Sequence, residues 1–190
     1  MLTQIASLLV DLVAGFFVFV LLARFHFQWL RVPFRNTLGE FVLATTNWIV
    51  RRARRVIPAL AGLDLATLLP AWLIQFAALW ALESLRGRES GADVGTAIAV
   101  FAGLAAVDLL RYSLYILVFA VILQAVLSWV NPHSPVAPIF DAITRRFLRP
   151  LRRFIPPVAN IDLTPLVLLV LLQVLLIPVW HLRAAVEALL

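Results

Sequence analysis

Hydrophobic residues along this 190-residue chain come in long unbroken runs rather than in alternation. Runs such as Leu65 to Leu82 and Leu163 to Ile177 approach the ~20 residues a helix needs to cross a ~30 Å hydrocarbon layer at ~1.5 Å per residue. Alternating segments of about ten residues, the mark of a membrane β-barrel, are absent from the pattern. Four long helices are expected, near Gln4 to Leu30, Leu65 to Leu85, Ala102 to Val130 and Leu163 to Leu182. Between the members of each pair the periodicity changes. Phe34, Leu38, Phe41, Val42, Thr45, Trp48 and Ile49 recur at helical spacing with Glu40, Asn47, Arg51 and Arg54 mostly off the stripe. Val136, Ile139, Phe140, Ile143, Phe147 and Leu151 do the same later. A helix with one apolar face and arginines on the other is expected to lie in the headgroup plane.

The order of elements is therefore stated twice, and so are its details. At an offset of 98, Arg54-Arg55, Pro58, Asp64 and Gln75 fall on Arg152-Arg153, Pro156, Asp162 and Gln173, and at an offset of 100 Trp29 falls on Trp129. Residues 1–85 form a first repeat and 98–190 a second, each reading as helix, interfacial amphipathic segment, helix. The polar, Gly- and Ser-containing linker 86–97 separates them. The expectation is an all-α membrane protein with four transmembrane helices, plus an extra apolar lead-in before the third. That lead-in, Val94 to Val107, is expected to lie at the outer interface or fold back. A hairpin of two spans would need a turn in "DLLRYS", which holds no Gly or Pro.

Composition agrees with a membrane location. Charged residues are 14% of the chain, against roughly 25% in soluble domains, and the mean hydropathy is +0.99. All 16 basic residues are arginine, which reflects either codon usage in a GC-rich genome or a choice of guanidinium forks for bidentate phosphate contact. The charge is unevenly placed. Arg24 to Gly62 holds seven arginines and one acid, and Asn131 to Asn160 five and one. The positive-inside rule puts both basic loops in the cytoplasm, with the termini and the linker outside. "MLTQ" lacks the basic start of a signal peptide, so the first apolar run is read as a membrane helix. Zero cysteines exclude disulfides and thiol chemistry.

Candidate chemistry is sparse. Arg51, Arg52, Arg54 and Arg55 in the first repeat, and Arg145, Arg146, Arg149, Arg152 and Arg153 in the second, are expected to contact anionic lipid headgroups or a partner protein. Direct nucleic-acid binding is not favoured. Asp64 and Asp162 stand before apolar runs and are expected to cap their helices after breaks at Pro58 and Pro156, with Gly62 and Asn160 as left-handed positions. Pro165 fits the first turn that follows Asp162. Gln75 and Gln173 lie 11 residues after these aspartates, hence ~16 Å deep, and are expected to hydrogen-bond to one another. Asp11 and Arg111 are equivalents under the offset of 100; Asp108 sits one turn before Arg111 and can pair with it locally, and a salt bridge is expected there. His26, His133 and His181 show no ligand spacing, and no nucleotide loop, nucleophile-and-base pair or metal motif is present in the sequence. No enzymatic activity, cofactor or metal is expected.

The segment "SWVNPHSPVAPIFDAITRRFLRPLRRFIPPVANIDLTPLVLLVLLQ", Ser128 to Gln173, resembles the repeat of the YggT family of small bacterial membrane proteins. Gln28 to Gln75 resembles it more loosely, lacking the Asn-Pro after the tryptophan and carrying Arg52 where the second copy has Pro150. The resemblance implies a multi-pass protein of the bacterial inner membrane. It implies no agreed biochemical activity: bacterial relatives are associated with osmotic shock, potassium handling and cell-division gene neighbourhoods, and plastid and cyanobacterial ones with nucleoid distribution and cytochrome assembly. Two functions follow as expectations. One is a non-enzymatic scaffold or assembly factor that engages other membrane proteins, with homo-oligomers compatible. The other is a component of ion transport or of the osmotic-stress response, for which Gln75, Gln124 and Gln173 are few polar groups to line a ~30 Å path.

Overall fold

In a computed structural model the described residues form six helices: α1 (Leu2–Trp29), α2 (Thr37–Ala53), α3 (Leu65–Arg86), α4 (Val94–Val130), α5 (Ala137–Phe154) and α6 (Thr164–Glu187). The structure describes residues 1–58, 63–87, 93–131, 133–155 and 162–190, leaving aside the side chain of Trp129. The expectations at Gly62, Pro156 and Asn160 fall outside the described residues. α1, α3, α4 and α6 are each long and apolar enough to cross a membrane. Their outward faces carry large hydrophobics, among them Leu8, Leu12 and Phe16 on α1 and Leu166, Val170 and Val174 on α6. So large an apolar surface suits lipid and not water. The chain is an all-α membrane protein.

What faces inward is smaller or more polar. On α3, Thr67, Ala71, Gln75 and Ala78 are buried at helical spacing, and Ala71 packs with Val18, Leu21 and Leu22 of α1. Lipid offers no hydrophobic drive to join two helices, so association relies on close backbone approach at small residues and on buried polar pairs.

α2 and α5 follow α1 and α4 and pack back against them. Gly39, Val42, Thr46 and Val50 bury one face of α2, while Phe41 and Trp48 remain half exposed. The predicted stripe is thus divided between two neighbours: Val42 turns to the protein, and Phe41 and Trp48 turn outward. Asn36 caps α2 by accepting from the Gly39 amide at 2.8 Å. A Cβ on Gly39 would come within 2.5 Å of the Phe34 carbonyl oxygen, so this tight entry needs glycine. Thr46 and Thr144, equivalent under the offset of 98, are both fully buried. Each hydroxyl donates to a carbonyl four residues back, on Val42 and Phe140.

One expectation is corrected. The lead-in Val94 to Val107 neither folds back nor lies apart; it is the first third of a continuous α4 of 37 residues, ~55 Å long. "DLLRYS" contains nothing to interrupt the hydrogen-bond ladder. Ala97, Val100, Phe101 and Leu104 are buried against Phe76 and Leu79 of α3, Val186 of α6 and Leu190 just beyond it. The Trp72 indole donates to the Ala102 carbonyl at 3.0 Å. Asp93 caps the helix by accepting from the amides of Gly95 and Thr96, and α3 ends on Gly87 in left-handed backbone, φ 64.

Candidate functional site

α1 and α4 run toward the end of the bundle that carries α2 and α5, and α3 and α6 run away from it. The far end holds a buried carboxylate hub. Asp108 on α4 is 1% exposed, and both of its oxygens are occupied. Gln75 on α3 donates from Nε2 to Oδ2 at 2.8 Å. Arg183 on α6 donates from Nε to Oδ1 at 3.0 Å, and Arg111 reaches the same oxygen at 3.0 Å. Arg183 also holds Glu187 at 2.6 Å. The Arg111 guanidinium lies 5.1 Å from the ring centre of Trp180 and 5.2 Å from that of Tyr112. Three spanning helices thus meet on one carboxylate, beside a cavity of about 320 Å³ that Asp11, Glu83 and Arg86 also line.

This arrangement corrects one pairing and keeps another. Gln75 does not bond to Gln173, which is exposed on α6; its amide goes to Asp108, the nearest strong acceptor across the α3–α4 contact. Arg111 pairs with Asp108, three residues before it on the same helix face, and Asp11 lines the cavity without joining that bond. Asp108, as a hub between helices, and Arg183 were not reached from sequence. A charged residue within a spanning helix almost always faces the bundle interior, and applying that to Arg183 would have found it.

Arg24 on α1 was missed as well. It is 3% exposed and donates from Nη1 to Thr46 Oγ1 at 2.8 Å and to Asn47 Oδ1 at 3.0 Å, which fixes α2 across α1. Between this arginine and the hub lies an apolar cluster of Val18, Leu21, Leu22, Val50, Ala71, Leu109 and Ile116.

At the near end the two repeats share a clamp. Arg54 donates to Asp64 at 2.6 Å and Arg152 to Asp162 at 2.9 Å, so each amphipathic helix is tied to the start of the next long one. The capping expectation is thereby amended. Asp64 occupies the N-cap position of α3, yet its carboxylate takes no helix amide and instead accepts from the Thr67 hydroxyl at 2.7 Å. Asp162 stands one residue before the N-cap Leu163 and accepts from the Thr164 amide at 2.9 Å and hydroxyl at 2.6 Å. Pro165 sits in the first turn of α6, as its register requires. Burial alone would push both carboxyls up. At Asp64 the hydrogen bonds from Arg54 and Thr67 outweigh it, and at Asp162 those from Thr164 and the charge of Arg152 do, holding both below the usual carboxylate range.

The other arginines of the two basic segments stay at the surface. Arg51, Arg52, Arg55, Arg149 and Arg153 are exposed, with no acid in ion-pair reach among the described residues. Arg145 pairs with Asp141 one turn earlier, and the Arg146 guanidinium lies 4.9 Å from the ring centre of Trp29.

Two copies of long helix, oblique amphipathic helix and long helix, with an arginine–aspartate clamp in each, define a tandem-repeat membrane protein. The sequence matches the CCB3/YggT family over residues 3–85 and 103–183. The chain belongs to that family. The unmatched stretch, 86–102, includes the start of α4, so the extension of that helix lies outside the family repeat. Relatives include the uncharacterized protein YggT of Escherichia coli K12, 32% identical over 171 residues, covering 89% of this chain and 86% of the relative. An uncharacterized protein in the proC 3' region of Vibrio alginolyticus is 30% identical over 171 residues, 88% of this chain and 89% of that one. An uncharacterized protein of Pseudomonas aeruginosa is 29% identical over 163 residues, 85% and 81% respectively. No solved structure matches the chain.

Proposed function

We propose that this protein is a non-enzymatic scaffold or assembly factor of the bacterial inner membrane, which presents its two basic helices at the cytoplasmic surface to anionic headgroups and to other membrane proteins. One contrast carries the reading. The buried charges at the far end of the bundle are consumed by one another at Asp108, while Arg51, Arg52, Arg55, Arg149 and Arg153 are left exposed at the other end. Closed ion networks hold helices together; exposed guanidiniums recruit. The positive-inside rule supports a cytoplasmic position for that end.

Ion transport is the competing function, favoured by the polar cavity beside Asp108. The apolar cluster around Leu21, Leu22 and Ile116 separates that cavity from the other end and argues against a continuous polar path. Crosslinking and co-purification from native membranes tests the proposal. A stoichiometric membrane partner, lost in an R51Q/R52Q/R55Q variant and retained in Q75L, is the expected result. Selective ion flux by the purified protein in liposomes, abolished by Q75L or D11N, would overturn it.

A further inference from the structure

The arginines of the second repeat do something that those of the first do not. A cleft of about 640 Å³ lies between the end of α1 and α5, lined by Leu30, Arg31, Ala142, Arg145, Arg146, Arg149, Pro150 and Arg153. Five guanidinium groups border it, and Asp141 answers one of them by pairing with Arg145. Four are left facing a cavity whose lining, among the described residues, contains no acid. Arg31 comes from the first repeat and holds left-handed backbone, φ 56, an uncommon conformation for a residue with a side chain. Arg146 is backed by the Trp29 ring.

The repeat itself supplies a control. At the offset of 98, Arg149 and Arg153 correspond to Arg51 and Arg55, but Arg145 and Arg146 correspond to Asn47 and Trp48. Asn47 is spent on Arg24, and Trp48 packs edge-on against Phe17. Charge that merely sets topology would have no need to gather around one cleft and to be joined there by an arginine from the other repeat.

We propose that this cleft is a phosphate-binding site, filled by the phosphate-bearing headgroup of an anionic lipid or by free phosphate. Guanidinium forks match phosphate oxygens in pairs and are weakly hydrated. Several of them around one cavity select a group bearing two or more negative charges over a single carboxylate. The lipid source rests on the reading that this end of the bundle meets a membrane surface; free phosphate does not.

The test uses the full chain purified in detergent without added phospholipid. Native mass spectrometry measures retention of diphosphatidylglycerol, with phosphatidylcholine for comparison, and calorimetry measures binding of sodium pyrophosphate at constant ionic strength. One saturable site is expected, weakened at least tenfold in R149Q/R153Q and by a smaller factor in R149K/R153K, which keeps the charge and tolerates loss of the fork. R35Q/R86Q, which removes the same charge elsewhere, is expected to bind like the parent. Diphosphatidylglycerol that displaces pyrophosphate identifies a lipid site; pyrophosphate binding that the lipid does not compete identifies a soluble phosphate and overturns the lipid contact alone. Equal weakening in R149Q/R153Q and R35Q/R86Q would overturn the site while leaving general attraction of the basic end to lipid in place. Absence of saturable binding for both probes would overturn it outright.

Discussion

Asp108 shows how one buried side chain can organise a bundle with little else to hold it. A carboxylate shared by Gln75, Arg111 and Arg183 costs much desolvation, and the attraction of its partners offsets that cost only while the set is complete. Asp108→Asn would leave the Arg111 guanidinium without its counter-charge and Arg183 with Glu187 alone. A loss of roughly 3–5 kcal/mol is expected, the range for breaking a buried ion pair by removing one partner. Thermal unfolding in detergent checks this, and a D108N/R183Q double variant should lose less than the sum of the two single changes, because the partners act as one unit. Additive losses, or a D108N variant within ~1 kcal/mol of the parent, would show that the network is incidental. From sequence, Gln75 and Arg111 were legible as polar groups at depth. Asp108 was legible as a local partner of Arg111, but its bonds to Gln75 and Arg183 were not, because hydropathy reports how deep a residue lies and says nothing of which neighbouring helix it faces.

Each repeat joins its amphipathic helix to the following long helix through an arginine and an aspartate ten residues apart. Both carboxyls sit below their ordinary range in the folded protein. A depressed folded pKa contributes stability that is full above the unfolded value of ~3.9 and is lost as pH falls through the folded one. The stability difference between the parent and D64N/D162N should therefore be present at pH 7 and fade only below about pH 4. Asp64, whose side chain is 14% exposed, carries most of it, on the order of 1–3 kcal/mol for hydrogen bonds to a charged group. Asp162 is 37% exposed and contributes less because solvent screens it. Unfolding temperatures taken from pH 7 downward would show this, and a difference independent of pH would mean that ionisation of the two carboxyls contributes nothing to the clamp. The aspartates were visible in the sequence as repeated landmarks, but their partners were misjudged. Capping is a local rule that sequence can apply, whereas a clamp across a turn needs the path of the chain. α4 was misdivided for a related reason. A span of ~20 residues invites cutting a 37-residue run, and it was packing by the far ends of α3 and α6 that kept the run whole.

At the scale of the whole molecule the duplication and the charge pattern make one joint claim about sidedness. α1 and α4 run the same way, so four crossings put α2 and α5 on one side and both termini on the other. The seven arginines of Arg24 to Gly62 and the five of Asn131 to Asn160 then share a compartment, which we propose, on the positive-inside rule, is the cytoplasm. A fifth crossing within Val94 to Val130 would instead separate the two clusters, and the unbroken α4 opposes it. The absence of cysteine makes this directly measurable, since any cysteine introduced is the only one in the chain. Thr3→Cys and Leu189→Cys should react with a membrane-impermeant maleimide in intact spheroplasts. Arg55→Cys and Arg153→Cys should react only after lysis. Labelling of R153C but not R55C from outside would place the repeats in opposite orientations and break the scaffold reading, because two basic helices on opposite faces cannot present one surface to a common partner.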